Sequence, residues 1–164
     1  MAEAQFATVE ATTGRIVVGR LLPGADLIGG IEAICDQHKI QYAAVSFAYG
    51  SLSSAGFKIL NVPSPGQRAV LTPHHVDGRV EFLAGQGLVC DDGEGHRATH
   101  LHGAISDETG TVKGGHFEKG QNPIYNNMDV TLVELLGVRL IRRWDETTKT
   151  IEMEVEQLAQ AQGH

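Results

Sequence analysis

Positive charge is scarce in this chain. Lys and Arg total 13 against 20 Asp and Glu, a formal charge of −7, so the surface as a whole repels a phosphate backbone and nucleic-acid binding would need a local basic patch. The densest basic cluster is Arg139, Arg142 and Arg143. On a strand Arg139 and Arg143 share one face and Arg142 takes the other, which splits the cluster. Cysteine is limited to Cys35 and Cys90, far apart and in neither metal nor redox spacing. That excludes a disulfide framework or a cysteine-held metal, and reads as two small buried residues of a reduced compartment. No apolar run approaches the length of a membrane span. Met1 to Thr13 has neither the basic start nor the apolar stretch of a secretory signal, so a cytoplasmic location is expected. Aromatics are few at 5%, yet 41% hydrophobic and 20% charged residues are the proportions of a folded protein, which excludes wholesale disorder.

What the chain does have is glycine, 20 residues in 164. That favours a turn-rich, sheet-rich fold, and the length suits one domain with a proper core. Residues 14–22 alternate as a strand until Pro23-Gly24 breaks them. From Ala25 to His38 the residues Leu27, Ile28, Ile31, Ile34 and Cys35 recur at helical spacing, with Asp26 in the first turn. The Gly29-Gly30 pair inside this helix lowers its propensity, so a neighbour is expected to pack closely there. Strands follow at 42–47, 55–62 and 69–72, with 50–54 as a loop or bulged strand and a turn at 63–66. Pro73 to Gly78 reads as a loop carrying the adjacent His74 and His75. A strand at 79–89 has Gly85 and Gly87 as candidate bulges. Asp91 to Gly95 is a turn, and 98–117 is a hairpin. A loop around 120–127 then precedes a strand at 129–136 and a closing hairpin of 138–144 with 150–155. The expectation is an α+β fold, a mainly antiparallel twisted sheet with one early helix packed on it. The domain is placed at 14–156, between a flexible segment 1–13 and a polar tail 157–164.

The hairpin carries the chemistry. His100 and His102 are two apart on a strand, so they point the same way. Between them and His116 lies Asp107-Glu108-Thr109-Gly110, whose Asp and Gly favour a type I turn closed by a left-handed glycine. A three-residue loop of that kind pairs Asp107 with Thr111. Counting outward, Ala104 then faces Gly114, His102 faces His116 and His100 faces Glu118. A two-residue loop would instead send His116 to the other face. Leu101 and Phe117 give the hairpin an apolar side to bury, and Gly114-Gly115 lets the backbone bulge or bend, or a ligand or another chain approach closely. Three imidazoles with an open position form the arrangement of a catalytic zinc, in contrast to a closed structural one. The bland alternative is a row of polar residues on a solvated sheet face.

Four segments, Gly19-Arg20-Leu21-Leu22-Pro23-Gly24, Gly78-Arg79-Val80-Glu81-Phe82-Leu83, His100-Leu101-His102-Gly103 and Gly114-Gly115-His116, together with the strand-like Ala43 to Gly50, resemble the plants and prokaryotes conserved domain. The resemblance covers about 14–156. It implies a compact α+β domain that assembles as a homotrimer and is similar to the acetolactate decarboxylase group, whose members hold zinc with three histidines. Carried over, the ligands of zinc or another divalent metal are His100, His102 and His116. Plant relatives bind DNA through a basic Arg-Gly-Arg-Pro arm that this chain lacks, so direct nucleic-acid binding is not expected. Where the plant motif reads Gly-Arg-Phe-Glu-Ile-Leu, Val80 and Phe82 stand here.

Two functions compete. One is a metal-dependent lyase or hydrolase acting on a small carboxylate or keto substrate, with Glu118 or Glu81 as base and Arg20, Arg79 or Arg97 receiving a carboxylate. The other is a non-enzymatic oligomeric binding or regulatory module that takes a metal or small anion.

Overall fold

A computed structural model of the chain describes residues 6–62, 64, 68 and 70–158. The first strand, β1 (Thr12–Leu21), leads into the single helix among the described residues, α1 (Leu27–Gln37). Asp26 proves to be the N-cap, its carboxylate accepting from the Gly29 N–H at 2.9 Å. The Gly29-Gly30 pair has the expected reason: a Cβ on Gly30 would lie 2.7 Å from the Leu21 side chain. No described helix is long and apolar enough to cross a membrane.

The remaining elements are all strands: β2 (Ala43–Leu52), β3 (Ala55–Asn61), β4 (Val70–Val76), β5 (Val80–Val89), β6 (His100–Ser106), β7 (Val112–Phe117), β8 (Ile124–Leu136), β9 (Val138–Asp145) and β10 (Thr150–Gln157). Seven of them join β1 in one antiparallel sheet in the order β1-β8-β2-β5-β6-β7-β3-β4, and β9 and β10 form a separate two-stranded sheet. Mostly antiparallel sheet with a single helix is the expected class, although strand so dominates that mainly-β describes it as well. Leu27, Ile28, Ile31 and Cys35 of α1 are buried in one core with Val45, Phe57, Phe82, Leu101, Ile105, Phe117 and Met128 from the sheet. Each such large side chain contributes about 1.5–3 kcal/mol by leaving water. Both cysteines are free and buried.

Several local expectations change. His74 and His75 lie within β4 and not in a loop: Pro73 is tolerated there because β4 is the sheet edge, where a missing N–H breaks no ladder. His74 stacks on Phe57 with centroids 6.0 Å apart. Gly85 and Gly87 lie at the expected irregularity, with register shifts on either side of Gly85 against β2 and one between Phe82 and Ala84 against β6. They allow close approach, since a Cβ on Gly87 would sit 1.9 Å from the His100 carbonyl oxygen. Residues 50–52 belong to β2, with register shifts on both of its sides. The supposed loop to Asn127 is already strand from Ile124. The turn expected at 63–66 lies mostly outside the described residues, as do 1–5 and 159–164 of the terminal segments.

The closing hairpin is held to the main sheet through Asp91. Its backbone N–H donates to Leu140 at 3.0 Å and its carbonyl accepts from Arg142 at 2.8 Å. The buried carboxylate accepts from the Tyr42 hydroxyl at 2.6 Å. Tyr42, Cys90, Val138 and Leu140 close a second small core around this joint.

Candidate metal centre

The turn that sets the histidine parity forms through its own polar groups. Asp107 N–H donates to Thr111 at 3.1 Å and Gly110 N–H to Asp107 at 2.9 Å, with Gly110 at φ +79°. The Asp107 carboxylate accepts from the N–H groups of Thr109 and Thr111, each at 3.0 Å. The Thr109 hydroxyl and these N–H groups, together with Lys113, hold its pKa down to about 2. The register that results pairs Ser106 with Val112, Ala104 with Gly114 and His102 with His116.

At that point β7 changes partner. His116 also pairs with Lys58 of β3, and Phe117 with Phe57. Gly114 and Gly115 make this possible: a Cβ on the first would lie 2.2 Å from the Gly103 oxygen and on the second 2.3 Å from the Lys58 oxygen. The β6–β7 ladder ends at His102 and His116, so Glu118 is not paired opposite His100. Its N–H donates to Gly56 at 3.3 Å and its carboxylate forms an ion pair with Lys58.

The three imidazoles converge. Their ring centroids are 4.7 to 5.3 Å apart, and one nitrogen from each lies within 4.8 Å of the others. His100 Nε2 and His102 Nε2 face each other at 2.9 Å, so two lone pairs would meet unless a proton or a cation lies between them. Burial lowers all three pKa values. His100 falls to about 3, with further push from Arg142 and the other two rings, and His116 to about 4, with push from His102, Arg142 and Lys58. His102 moves the same way through burial and Arg142. Neutral imidazoles are the form that binds a divalent metal, and zinc–nitrogen bonds of about 2.0–2.1 Å suit donors this closely grouped. The donor set fits such an ion.

The histidines open into a hollow of about 570 Å³ walled by β3, β4, β9 and β10, with Lys58, Arg142 and Trp144 among its lining residues. Sequence reasoning missed these three as site residues. Arg142 carried one signal, its opposite parity to Arg139 and Arg143; Lys58 and Trp144 carried none. The parity holds, for Arg139 and Arg143 pair with Glu156 and Glu154 on the far side from the hollow's Arg142.

The other charged candidates lie elsewhere. Arg97 clamps the end of α1, bonding the Asp36 carboxylate at 2.8 Å and the Ile40 carbonyl at 2.7 Å. Arg79 stacks over Tyr125 at 4.4 Å and, with Glu81, lines a smaller hollow of about 240 Å³. Arg20 is exposed on β1, paired in register with Asp129. None of these lines the histidine hollow. A second group that could hold an ion, Asp92, Glu94 and His96, sits in the turn after β5. Asp92 there accepts from the N–H groups of Glu94 and His96 at 2.8 and 3.1 Å, which accounts for the cluster as turn chemistry.

Residues 8–136 match the Plants and Prokaryotes Conserved domain. The chain belongs to this family. The match ends with β8, so Arg142 and Trp144 lie beyond it. A curated relative, the Bifunctional protein GlmU of Synechococcus sp. (strain JA-3-3Ab), is 33% identical over 147 residues, 90% of this chain. The chain spans 21% of that protein's length. Among solved structures, a metal-containing protein from Archaeoglobus fulgidus is 23% identical with a TM-score of 0.77, covering 91% of this chain and 99% of that one. A plant- and prokaryote-conserved protein from Pyrococcus horikoshii is 21% identical with a TM-score of 0.74, covering 92% and 99%. Two further similar structures bear provisional DNA-binding names. These likenesses establish the fold.

Proposed function

We propose that this family member is a metal-binding protein in which His100, His102 and His116 hold one divalent ion, zinc by the chemistry of its donors, beside a hollow that admits a small carboxylate or keto compound. The observation that carries this reading is the convergence of three neutral ring nitrogens within 4.8 Å. The metal-containing name of the Archaeoglobus protein accords with it. A bound divalent ion supplies polarisation of a carbonyl or a lowered pKa for water, the chemistry of a lyase or hydrolase, and the resemblance to the acetolactate decarboxylase group points the same way. The chain's own contribution is to keep the imidazoles neutral and to hold the Glu118 carboxylate one ion pair away, on Lys58. Glu118 is therefore the base to test. Glu81, in the smaller hollow, is the weaker candidate.

The test is metal analysis of protein purified without an affinity tag. About one ion per chain is expected, lost in His102→Ala and in His116→Ala; unchanged metal content in both variants overturns the assignment. Turnover on a panel of keto and hydroxy acids, lost in Glu118→Gln, separates the enzyme from a pure binding module.

Self-association belongs to the same proposal, as the homotrimer that the family resemblance implies. It is supported by one sheet face. Val18, Thr131 and Phe47 stand in one row across β1, β8 and β2, next to Tyr49, which stacks on Phe47 at 5.9 Å. Val18 is 75% exposed, and the buried Thr131 hydroxyl has no hydrogen-bond partner among the described residues. A covering subunit would remedy both. Light scattering is expected to give three chains per particle, and a monomer at micromolar concentration would refute it. Direct DNA binding draws no support from the charge of −7 and is checked by titrating a duplex at low salt.

A further inference from the structure

The arginines of this chain are not treated alike. Arg15, Arg97, Arg139 and Arg143 each have a carboxylate partner. Among the described residues Arg20, Arg68, Arg79 and Arg142 have none within ion-pair distance, and of these only Arg142 is half-buried while the rest face water. Among the described residues the one acceptor of its guanidinium is the Ile151 carbonyl, 3.1 Å from Nη2, which leaves most of its five donors unused there. A partly desolvated cation without a counter-charge is unfavourable unless an anion joins it.

The surroundings of Arg142 repeat the imbalance. Lys58, Arg68, Arg142 and Lys149 line the hollow, against a single carboxylate, Glu152. The acids that pair with Lys58 and Lys149, Glu118 and Glu146, are not among its lining residues. An acidic protein has thus collected cations at one place. Apart from the three histidines and Thr150, the rest of the lining is apolar, from Leu60, Val70, Leu71, Trp144 and Ile151, all large side chains left substantially exposed. A volume of about 570 Å³ is that of a small-molecule site.

We infer that the hollow binds a small organic anion with an apolar tail: Arg142 and Lys58 receive its carboxylate beside the three imidazoles, and the tail lies against Trp144 and Ile151. Inorganic phosphate would satisfy the cations but leave the apolar wall wet, and an amine would meet like charge. The inference rests on the three-histidine reading only for a metal at the head of the ligand; Arg142 and the apolar wall stand without it. Their placement depends on β9, which the Asp91 carbonyl holds through the Arg142 N–H.

Trp144 is the chain's one tryptophan, so its fluorescence reports entry directly. The purified full-length protein, zinc-loaded and after chelation, is titrated with hexanoate, inorganic phosphate and hexylamine at fixed ionic strength. Hexanoate is expected to give a saturable change, phosphate to bind at least about tenfold more weakly, and hexylamine to give no saturable change. Arg142→Gln should weaken hexanoate by at least about tenfold, the loss of a charge-assisted pair, with unchanged circular dichroism and zinc content; Arg142→Lys should recover part of it. If Arg142→Gln fails to fold, Lys58→Met carries the same test with an expected loss of roughly threefold or more. Equal response to hexylamine, equal affinity for phosphate, or full hexanoate affinity in a folded Arg142→Gln protein overturns the inference. Wild-type protein that holds no zinc removes the metal proposal alone; hexanoate binding by that protein, lost in Arg142→Gln, still sustains the anion site, and no binding in either form ends it.

Discussion

On one face of the β6–β7 hairpin Leu101, Ile105 and Phe117 are at most 1% exposed, and Phe117 meets Phe57 and Phe82 at ring distances of 5.5 and 5.0 Å. On the other face the same backbone presents His100, His102 and His116 to a solvent-connected hollow. Alternation along a strand gives the two faces a common register, so each depends on the turn at Asp107 to Gly110. Their energetics differ. The core face gains from every apolar group removed from water, whereas the histidine face brings three basic rings together, an arrangement that burial and neighbouring cations keep neutral. A polar cluster of this kind contributes little to folding and is ready for a ligand.

The comparison is broken most severely from the core side. Phe117→Ala should destabilise the protein by about 3–5 kcal/mol, the transfer of a large aromatic plus the cavity it leaves, read from urea unfolding of the metal-free protein; a loss below about 1 kcal/mol would mean the aromatic cluster does not hold the hairpin. Gly114→Ala comes next, at roughly 1–3 kcal/mol. Its Cβ would meet a backbone oxygen at 2.2 Å, so β6 and β7 must separate and carry His102 and His116 apart, and metal affinity should fall together with stability. His116→Ala should leave metal-free stability within about 1 kcal/mol of the parent. What it should remove is the gain on adding metal, which for a single site is about 2.7 kcal/mol at a hundredfold excess over Kd. A metal-induced rise in Tm that survives this variant would contradict the division of labour between the faces.

The smallest effect expected is on pH dependence, and it arises outside the hairpin. Glu134 bonds Arg15 through side-chain nitrogens at 2.8 Å and through the backbone N–H at 3.0 Å. These bonds hold its pKa down to about 2 from 4.5. A folded pKa below the unfolded one means that the pair's stabilisation is present above about 4.5 and is lost as pH falls toward about 2. Glu134→Gln should flatten that acid limb of the urea-midpoint curve while metal content at neutral pH stays as in the parent. A change in metal content would show that the two regions are coupled.

Local chemistry made part of this readable in advance. The helix followed from its 3.6-residue period, although Asp26, expected in its first turn, is its cap, and the histidine parity followed from Asp107 and Gly110, because each rests on residues a few positions apart. The reading failed where distant strands decide the outcome. Pro73 and the two histidines after it looked like a loop, but an edge strand accommodates proline. Glu118 was expected opposite His100, and it follows β3 instead because β7 changes partner after His116. Arg20, Arg79 and Arg97 looked like equal candidates, and the fold places each on a different surface.

The sequence by itself determined that three imidazoles share one face of a hairpin, since strand alternation and turn type are properties of adjacent residues. Only the tertiary structure decided what stands around them. Lys58 reaches His116 because β3 pairs with β7 across more than 50 intervening residues, and Arg142 and Trp144 reach the hollow because Asp91 docks a separate hairpin beside the sheet. Pairings between distant segments are selected by the burial of the whole core, and no local pattern records them.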